Sequence, residues 1–372
     1  MKIGITGASG FVGRNLQWRL REAGHADVRL ISHVADDAQL IEQLSGLDFV
    51  FHLAGVNRPQ DPVEFEDGNA DFSLRLVSIL GSLPGDPPPV AFASSTQAVL
   101  DNVYGRSKRA AEEALLHYQR QRRVPVYIFR LTNVFGKWCR PNYNSVVATF
   151  CHNIARDLPV TINDPSSPLR LVYIDDVIDH MLSLLGPTPP AAGFVEVEPT
   201  YDTTVGELAQ TLNGFRATRQ GLMIDRVGSG LTRALYATYV SYLPIESFAY
   251  EVPRHADPRG VFVEMLKTSD SGQFSYFTAG PGITRGEHYH HTKTEKFLVI
   301  RGTAHFGFRQ IDTGETHELV TRGGEAQIVE TIPGWTHNIT NIGEDELIVM
   351  LWANEVFDRA RPDTTAMKVK PL

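Results

Sequence analysis

The chain is poor in cysteine, in long apolar runs and in excess positive charge. Cys139 and Cys151 are its two cysteines among 372 residues, too few for a disulfide framework. No apolar run approaches the length that spans a bilayer, and the first residues form a strand-like segment rather than a signal peptide. The formal net charge is −8 and the pI is near 5.9. We therefore expect a cytoplasmic protein with no nucleic-acid or membrane partner, although a local basic pocket could still hold a phosphate.

The chain is longer than a single hydrophobic core usually allows, and its pattern of apolar residues changes near residue 250. Residues 1–250 alternate short apolar runs with amphipathic helices, starting with "KIGITG" and "FVGRNLQWRLREAG", where Gly24 is expected to end the first helix. This pattern predicts a doubly wound parallel sheet covered by helices. Residues 251–372 consist of short alternating segments such as "EKFLVIRG" and "ELIVMLWANEVF". That pattern predicts an all-β barrel or sandwich.

A glycine-rich segment, "GASGFVG", follows the first predicted strand and opens the first predicted helix. It places Gly7, Gly10 and Gly13 where backbone amides and the helix N-terminus can face a pyrophosphate, which predicts a nucleotide-cofactor site. The second predicted strand ends in residues 32–34 without the carboxylate that usually holds the ribose of NAD. This favours NADP(H). His33 is either a contact to the 2′-phosphate or a solvated strand end.

A tyrosine and a lysine in "YGRSK" form a candidate catalytic pair. Tyr104 and Lys108 are four residues apart, so both fall on one face of a helix. A neighbouring ammonium stabilises a phenolate and is expected to bring its pKa towards neutrality. Residues 94–96 are two serines and a threonine at a strand end, and they can supply a hydroxyl that orients a carbonyl. Tyr289 and Lys293 repeat the spacing on a strand-like segment, so the position after the Ser/Thr strand favours the first pair.

Six segments give the first 250 residues a specific resemblance to the extended short-chain dehydrogenase/reductase family: "TGASGFVG", "FHLAGVN", "SSTQAV", "YGRSK", "RLTNVFG" and "LRLVYIDDV". The resemblance implies a Rossmann domain that binds a nicotinamide cofactor and acts on a nucleotide-sugar, with Thr96, Tyr104 and Lys108 as the catalytic set. The cofactor-binding residues that we expect are Gly7, Ser9, Gly10, Phe11, Val12, Gly13, His33, Leu53, Ala54, Gly55 and Lys108.

The loop "GKWCRPNYNS", residues 136–145, is a candidate substrate site. It combines Lys137, Arg140 and Asn142 with aromatic groups, which suits a diphosphate, a uracil ring and sugar hydroxyls. Arg170 is a second candidate for the diphosphate. The alternative interpretation is a polar surface loop.

The stretch "GITRGEHYHHTKTEKFLVIRG" contains a candidate metal site. His288 and His290 alternate onto one strand face, Glu295 follows, and His337 comes from the later segment "PGWTHNITN". Three imidazoles and a carboxylate suit Zn²⁺, Fe²⁺, Mn²⁺ or Ni²⁺. His291 lies one residue off the strand face and is expected to be exposed or to support a ligand.

This C-terminal region resembles the cupin family. The spacing from Gly282 to Gly302 fits the first cupin motif, and Gly334, His337 and Asn341 fit the second, with the proline displaced to Pro333. The resemblance implies a jelly-roll barrel that holds a metal. The segment "HADPRGVFVE", from 255 to 264, is similar to cupin-type epimerases that act on nucleotide 4-keto-6-deoxy sugars.

Across nearly its whole length the chain resembles the CapF family of bifunctional capsular polysaccharide enzymes, through "HLAGVNRP", "FGKWCRPNYNS" and "HYHHTKTEKFLV". The resemblance implies NADPH, zinc, a homodimer and a UDP-linked 4-keto-6-deoxy amino sugar as substrate. It further implies C3 epimerisation by the cupin domain, 251–372, and then C4 reduction by the reductase domain, 1–250. The product would be UDP-2-acetamido-2,6-dideoxy-L-talose, a precursor of UDP-N-acetyl-L-fucosamine for capsule or O-antigen.

Two other functions remain open from sequence alone. One is a single-activity reductase or epimerase whose cupin is a non-catalytic sugar-binding or dimerising module. The other is a cofactor-sensing scaffold without catalysis, against which the complete Tyr, Lys and Thr set argues. The acid or base of the cupin also stays open among His291, Lys293, Lys296 and Tyr289.

Overall fold

The chain contacts form two units in a computed structural model, which describes residues 1–32, 35–56, 66–360 and 362–370. Met1–Leu212 and Gly230–Leu243 make the first unit, and Asn213–Ser229 and Pro244–Leu372 make the second. The predicted boundary at 250/251 leaves 213–229 in the first domain. That segment groups with the second unit because its two-residue strand pairs there, and so short a strand shows no period in sequence. The division of function between 1–250 and 251–372 stays a prediction.

The first unit alternates strands and helices. Its strands are β1 Ile3–Thr6, β2 Val28–Ile31, β3 Phe49–His52, β4 Val90–Ser95, β5 Val126–Leu131, β6 Asn133–Phe135, β7 Pro168–Tyr173, β8 Gly193–Val195 and β9 Thr200–Thr204. Its helices are α1 Phe11–Glu22, α2 Asp37–Leu44, α3 Phe72–Ser82, α4 Val103–Arg122, α5 Val146–Ile154, α6 Ile174–Ser183 and α8 Gly230–Ser241; α7 Val205–Gly221 runs from this unit into the second. Short turns of helix lie at Glu66–Asp71 and Thr96–Val99.

A six-stranded parallel sheet, in the order β2-β1-β3-β4-β5-β8, forms the centre of the first unit. Every residue of β1 is buried, as expected for a parallel strand covered on both faces. The chain passes from β2 to the other side of β1 to begin β3, so the strand order reverses there. Ligands of open α/β sheets bind at the carboxyl ends of the strands at such a reversal. The predicted doubly wound parallel sheet is confirmed.

The main core of the first unit lies between this sheet and helices α2, α3 and α4. Apolar side chains of the helices meet apolar side chains of the strands in one cluster, which includes Leu40, Leu44, Leu76, Leu115, Val50, Phe92 and Ile128. Burying one such side chain stabilises the fold by about 1.5–3 kcal/mol relative to leaving it exposed. The helical spacing of these residues therefore decides which face of each helix meets the sheet.

Apart from the end of α7 and a short helical turn at Ile245–Ser247, the second unit consists of β-strands, as predicted for residues 251–372. Its strands are β10 Met223–Ile224, β11 Arg254–Asp257, β12 Gly260–Thr268, β13 Gln273–Ala279, β14 Thr284–Tyr289, β15 Glu295–Arg301, β16 Thr303–Gln310, β17 Thr316–Arg322, β18 Ile328–Glu330, β19 Trp335–Asn341, β20 Leu347–Ala353 and β21 Thr365–Ala366. One sheet has the order β10-β12-β13-β20-β15-β18, with β11 paired to β12, and the other has the order β17-β16-β19-β14-β21. Their inner faces share a core that includes Phe277, Phe297, Phe306, Ile339 and Val349.

The helices carry no sign of a membrane segment. Across the part of the chain that the structure describes, none of them combines the length and the apolar character that a bilayer crossing requires.

Candidate functional site

A glycine turn joins β1 to α1 at the carboxyl edge of the parallel sheet. Gly7 has a φ of +66°, and a Cβ there would lie 2.5 Å from the backbone nitrogen of Ala54. A Cβ on Gly13 would lie 2.3 Å from the carbonyl oxygen of Gly7, so both positions require glycine. Gly10 precedes α1 and has no side-chain oxygen to cap the first amides of the helix. The turn therefore presents backbone amides and the positive end of the helix dipole to an anion.

A cavity of about 1030 Å³ lies against this turn. The expected cofactor residues that line it are Gly7, Ser9, Gly10, Phe11, Val12, Gly13, Leu53, Gly55 and Lys108. The amide of Ala54 instead donates to the Thr6 hydroxyl at 3.1 Å. His33 lies outside the described residues, and its contact to a 2′-phosphate stays a prediction. Ligand pockets usually measure roughly 300–1,000 Å³, so the cavity lies at the upper end of that range.

A buried hydrogen-bonded chain of Thr6, His52 and Ser73 supports one wall of the cavity. The His52 Nδ1 lies 2.7 Å from Thr6 Oγ1, and its Nε2 lies 2.8 Å from Ser73 Oγ. Thr6 Oγ1 also accepts from both amides of residues 53–54 at 3.1 Å. Burial and then the charge of Lys108 lower the pKa of His52 to about 3, so the imidazole is neutral at neutral pH. Sequence reasoning missed this network because its three members lie on separate elements.

Helix α4 brings Tyr104 and Lys108 to the cavity. The side chain of Asn102 caps the first turn of the helix by accepting a backbone N–H. Lys108 is buried, and its ammonium donates to the Ala93 carbonyl at 3.1 Å. Burial lowers the pKa of Lys108 to about 8, against the opposing charge of Glu112. The pair thus shares one helix face and one cavity, as the four-residue spacing predicts.

The protonation of Tyr104 differs from the expectation drawn from sequence. Burial raises the pKa of Tyr104, and a hydrogen bond with the Ser95 side chain opposes that rise. The expectation that this pKa moves towards neutrality is therefore wrong, because burial of the phenol is the largest effect and acts in the opposite direction. Tyr104 is therefore a protonated phenol at neutral pH, which is the form that a proton donor needs.

The three hydroxyls at the end of β4 have different environments. Ser94 Oγ donates to a buried carboxylate oxygen of Glu112 at 2.5 Å. Arg130 holds the same carboxylate with two bonds of 2.9 and 2.6 Å. Ser95 bonds to Tyr104. Thr96 begins the short helix that follows and is exposed at the cavity surface.

Arg140 is the predicted substrate contact that lines the cavity, where its guanidinium lies 5.0 Å from the ring centre of Tyr143. Asn144 of the predicted substrate loop lines the same cavity, together with polar side chains that sequence reasoning missed: Arg14, Asn133, His152, Ser241 and Tyr242. The missed residues come from four separate stretches of the chain, so no local motif could have found them. Cationic and amide groups of this kind can recognise a nucleotide and a sugar.

The other three predicted substrate contacts do not belong to the described lining of this cavity. The Lys137 ammonium pairs with Asp175 at 2.7 Å. Arg170 lies on β7 and donates to the side chain of Thr200 at 3.0 Å. Asn142 is exposed, with a φ of 53°. Their roles in substrate binding stay predictions.

The four predicted metal ligands converge in the second unit. The ligand atoms of His288, His290, Glu295 and His337 all lie within 4.8 Å of one another. One carboxylate oxygen of Glu295, Oε2, lies 3.3 Å from His290 Nε2 and 3.5 Å from His337 Nε2. The ring centroids of His288 and His337 are 4.6 Å apart. A β-bulge between Gly286 and His288 shifts the strand register, so that the face of β14 that meets His337 carries His288.

The protonation states of this cluster suit a cation. Burial works against the charge of Glu295, but hydrogen bonds from His290 and His337 and the Lys293 charge hold its pKa well below the usual range. Burial and the neighbouring His337 lower the pKa of His288 to about 4. Metal binding needs this combination of neutral imidazole and ionised carboxylate. The buried Nδ1 of His337 has no hydrogen-bond partner among the described residues. Three imidazoles and one carboxylate whose ligand atoms lie this close together are a donor set that fits a divalent cation.

The four acid or base candidates of this region have different surroundings. The Lys293 side chain is buried, and its ammonium lies 3.0 Å from Glu295 Oε1. Lys296 pairs with Glu330 at the surface. His291 is exposed, and its ring lies 5.4 Å from that of Tyr289. Among the described contacts of these candidates, that of Lys293 is with a proposed metal ligand, Glu295.

Two family models match this chain. The NAD-dependent epimerase/dehydratase family matches residues 3–189, and the polysaccharide biosynthesis C-terminal domain matches residues 255–365. The first match covers five strands of the six-stranded parallel sheet, β1 to β5, and the second covers the metal-ligand cluster.

Three comparisons relate the chain to known proteins. It is 57% identical over 369 residues to the UDP-2-acetamido-2,6-beta-L-arabino-hexul-4-ose reductase of Pseudomonas aeruginosa, which covers 99% of both chains. UDP-glucuronic acid decarboxylase 5 of Arabidopsis thaliana is 23% identical over 57% of this chain and 74% of its own. The crystal structure of the capsular polysaccharide assembling protein CapF from Staphylococcus aureus has a TM-score of 0.91 at 39% identity, covering 99% of this chain and 100% of that one.

Proposed function

The chain belongs to the NAD-dependent epimerase/dehydratase family and, over its full length, to the CapF-like proteins, and from this premise we propose that it is a bifunctional nucleotide-sugar enzyme. Its second domain epimerises C3 of a UDP-2-acetamido-2,6-dideoxy-4-hexulose. Its first domain then reduces C4 with NADPH to give UDP-2-acetamido-2,6-dideoxy-L-talose, a precursor of UDP-N-acetyl-L-fucosamine. The name of the P. aeruginosa relative, a reductase of a UDP-linked 4-keto sugar, supports this assignment.

One observation carries the reductase part of the proposal. Tyr104, Lys108 and the hydroxyls at the end of β4 line the same cavity as the glycine turn, which is a candidate anion site. When bound, NADPH supplies the hydride to C4. Tyr104, protonated because burial raises its pKa, donates its proton to O4. Thr96 orients O4 from the cavity surface, and Lys108 binds the cofactor ribose. Hydride and proton together convert the ketone to an alcohol.

The missing carboxylate at the end of β2 supports NADPH over NADH as the cofactor. Residues 32–34 are Ser, His and Val, and none can accept hydrogen bonds from a ribose diol as a carboxylate does. The UDP group is proposed to contact Arg140 in the cavity, with Lys137, Asn142 and Arg170 as further contacts.

The metal cluster of the second unit carries the epimerase part. The C3 hydrogen lies alpha to the C4 carbonyl, so a base can remove it and an acid can return a proton to the opposite face. His288, His290, Glu295 and His337 would hold a divalent cation, proposed to be Zn²⁺. Such an ion, when bound, stabilises the negative charge that develops on O4. Epimerisation must precede reduction, because reduction removes the carbonyl that makes C3 acidic.

We also propose that the active enzyme is a homodimer.

An NADPH oxidation assay with the UDP-linked 4-keto sugar tests the reductase assignment. Tyr104→Phe removes the donated proton and is expected to lower kcat by about 10²–10⁴-fold while leaving NADPH affinity intact. The matched control is Tyr118→Phe on the same helix, whose hydroxyl bonds to the Pro88 carbonyl. Normal turnover by the Tyr104 variant, or the same loss in both variants, would contradict the role of Tyr104.

A further inference from the structure

We propose that Asp363 is a positioning residue for the metal centre of the second unit. This inference rests on the proposed metal site and extends it to a residue far away in the sequence. Asp363 belongs to the C-terminal strap, which we define as residues 363–369. The strap contacts the metal-ligand strand β14 and the turn that follows it.

The Asp363 carboxylate holds the turn between two ligands, His290 and Glu295. Its Oδ1 accepts from the amide of His291 at 2.9 Å. Its Oδ2 accepts from the amides of Thr292 and Lys293 at 2.7 and 2.8 Å and from the Thr292 hydroxyl at 2.9 Å. Three successive amides directed at one carboxylate form an anion nest made by the turn itself. The carboxylate therefore fixes the path of the chain from His290 to Glu295.

The main chain of Asp363 acts on a ligand directly. Its carbonyl oxygen accepts a hydrogen bond from Nδ1 of His290, so Nδ1 carries the proton. The other ring nitrogen, Nε2, lies 3.3 Å from Glu295 Oε2 and is the ring nitrogen that faces the proposed metal site. Hydrogen bonds of this kind set the tautomer and the orientation of metal-binding histidines.

The turn that Asp363 holds also determines how Glu295 is presented. It carries Lys293, whose buried ammonium lies 3.0 Å from Glu295 Oε1. The other oxygen, Oε2, faces His290 and His337. A carboxylate held in this way offers one oxygen to the metal. A more mobile turn would no longer hold either carboxylate oxygen of Glu295 in place, and the ligand geometry of the proposed metal site would become less well defined.

The strap keeps Asp363 in place by strand pairing. His288 pairs with Ala366 in the β14–β21 register. The amides of Met367 and Val369 donate to Glu287, one to its carbonyl and one to its side chain, at 2.9 and 2.8 Å. Glu287 forms the bulge before His288 and has a φ of 60°. The strap thus holds strand β14 at Glu287, where the pairing register of this strand shifts.

Zinc affinity of the full-length protein tests the role of Asp363. The protein is stripped with a chelator, and Zn²⁺ binding is then measured by competition with a chromophoric chelator. Asp363→Asn keeps the size of the side chain but turns an NH₂ group towards amide donors, so we expect about 10–100-fold weaker Zn²⁺ binding. The control is Asp358→Asn, a carboxylate that caps the Ala360 amide in the same part of the chain. This control is expected to bind like the wild type.

A spectroscopic measurement separates positioning from general stability. The visible absorption of Co²⁺ bound to the full-length protein reports the ligand geometry. Asp363→Asn should change this spectrum, and Asp358→Asn should not. Asp363→Glu keeps the charge and should recover part of the Zn²⁺ affinity. Lys293→Met should weaken binding as well, and the double variant should lose less than the sum of the two single losses because both residues act through Glu295.

The possible outcomes are distinct. A wild-type protein that binds no Zn²⁺ contradicts the proposed metal centre itself. Wild-type binding with unchanged affinity and Co²⁺ spectrum in Asp363→Asn contradicts the positioning role alone. Loss of far-UV circular dichroism in every Asp363 variant also contradicts it, since the residue would then be required for folding in general.

Discussion

At the residue scale, three consecutive hydroxyls at the end of β4 have three different environments. Ser94 is bound to Glu112, Ser95 to Tyr104, and Thr96 is exposed at the cavity surface. A sequence motif of three adjacent hydroxyl residues cannot assign these roles, because the partners come from a helix that packs against the strand. The structure gives the proposed orienting hydroxyl, Thr96, a different environment from Ser95, which bonds to the proposed proton donor.

Replacing these hydroxyls one at a time should have different kinetic consequences. Thr96→Ala is expected to lower kcat for reduction by about 100-fold, as loss of a hydrogen-bond donor to a developing oxyanion does. Ser95→Ala removes a bond that lowers the pKa of Tyr104, so that pKa rises and the alkaline limb of the kcat/KM profile moves to higher pH. The measurement is the pH profile of NADPH oxidation. Identical profiles and losses in the two variants would refute the division of roles.

The buried His52 should make the free energy of unfolding depend on pH in the acid range. Its folded pKa is about 3 against an ordinary 6.5, so the unfolded state takes up a proton that the folded state refuses between these values. The free energy of unfolding should therefore fall as the pH drops below 6.5, by up to about 1.4 kcal/mol per pH unit.

Urea unfolding of the full-length protein between about pH 4 and pH 7 measures this dependence. His52→Gln removes the titration while keeping a donor and an acceptor, and it should flatten the acid side of the curve. His25→Gln, which removes an imidazole from the connection before β2, is the control. An unchanged slope in His52→Gln would rule out this histidine as the cause.

At the element scale, α4 does more than carry Tyr104 and Lys108. Glu112, one turn further along, ties the helix to β4 through Ser94 and to β5 through Arg130. The contacts fix the position of the helix relative to the strand end that carries the hydroxyls. The geometry of the pair and its hydroxyls thus depends on one buried carboxylate.

Glu112→Gln should destabilise the fold and disturb the cofactor site. It leaves Arg130 without its bidentate partner, and breaking such a buried pair costs about 3–5 kcal/mol when both charges are enclosed. Because the Arg130 side chain is 34% exposed, we expect the lower end of that range. Urea unfolding and NADPH titration measure the two effects. Glu113→Gln, an exposed neighbour on the same helix, is the matched control, and equal stability of the two variants would contradict the role of Glu112.

The elements differ in how well the sequence predicts them. The parallel sheet, helix α4 and the four converging metal ligands follow from periodicity and motif spacing, since these patterns are local. The strands β10 and β21 are two residues long and show no period. Asp363 lies about seventy residues from the turn that it holds. Lys137 suits a diphosphate by residue type, and its ion pair with Asp175 could not be predicted because only the fold brings Asp175 near.

At the scale of the whole molecule, the chain carries two chemically different sites, one in each unit. The first has a proton donor and a cofactor turn, and the second has a metal-ligand cluster. The proposed 4-keto sugar substrate would connect them, because its carbonyl makes C3 acidic and is itself the group that hydride would reduce. This shared dependence on one carbonyl is the reason to propose two ordered steps rather than two unrelated activities.

Metal removal should separate the two steps. A protein stripped with a chelator should lose C3 exchange and regain it with Zn²⁺, since no other described cluster of this kind is present to stabilise the enolate. It should still oxidise NADPH with a sugar that has already been epimerised. Retained C3 exchange in a folded, metal-free protein would remove the metal from the chemistry.

The central claim is an epimerisation that needs no NADPH, followed by a reduction that does. Proton NMR of the UDP-linked 4-keto-6-deoxy-HexNAc in D₂O with the full-length protein tests it, first without NADPH and then after its addition. We predict that deuterium enters C3 before any cofactor is present and that a C4 alcohol forms only once NADPH is added. Reduction without prior exchange at C3 would contradict the two-step function and leave a single-activity reductase.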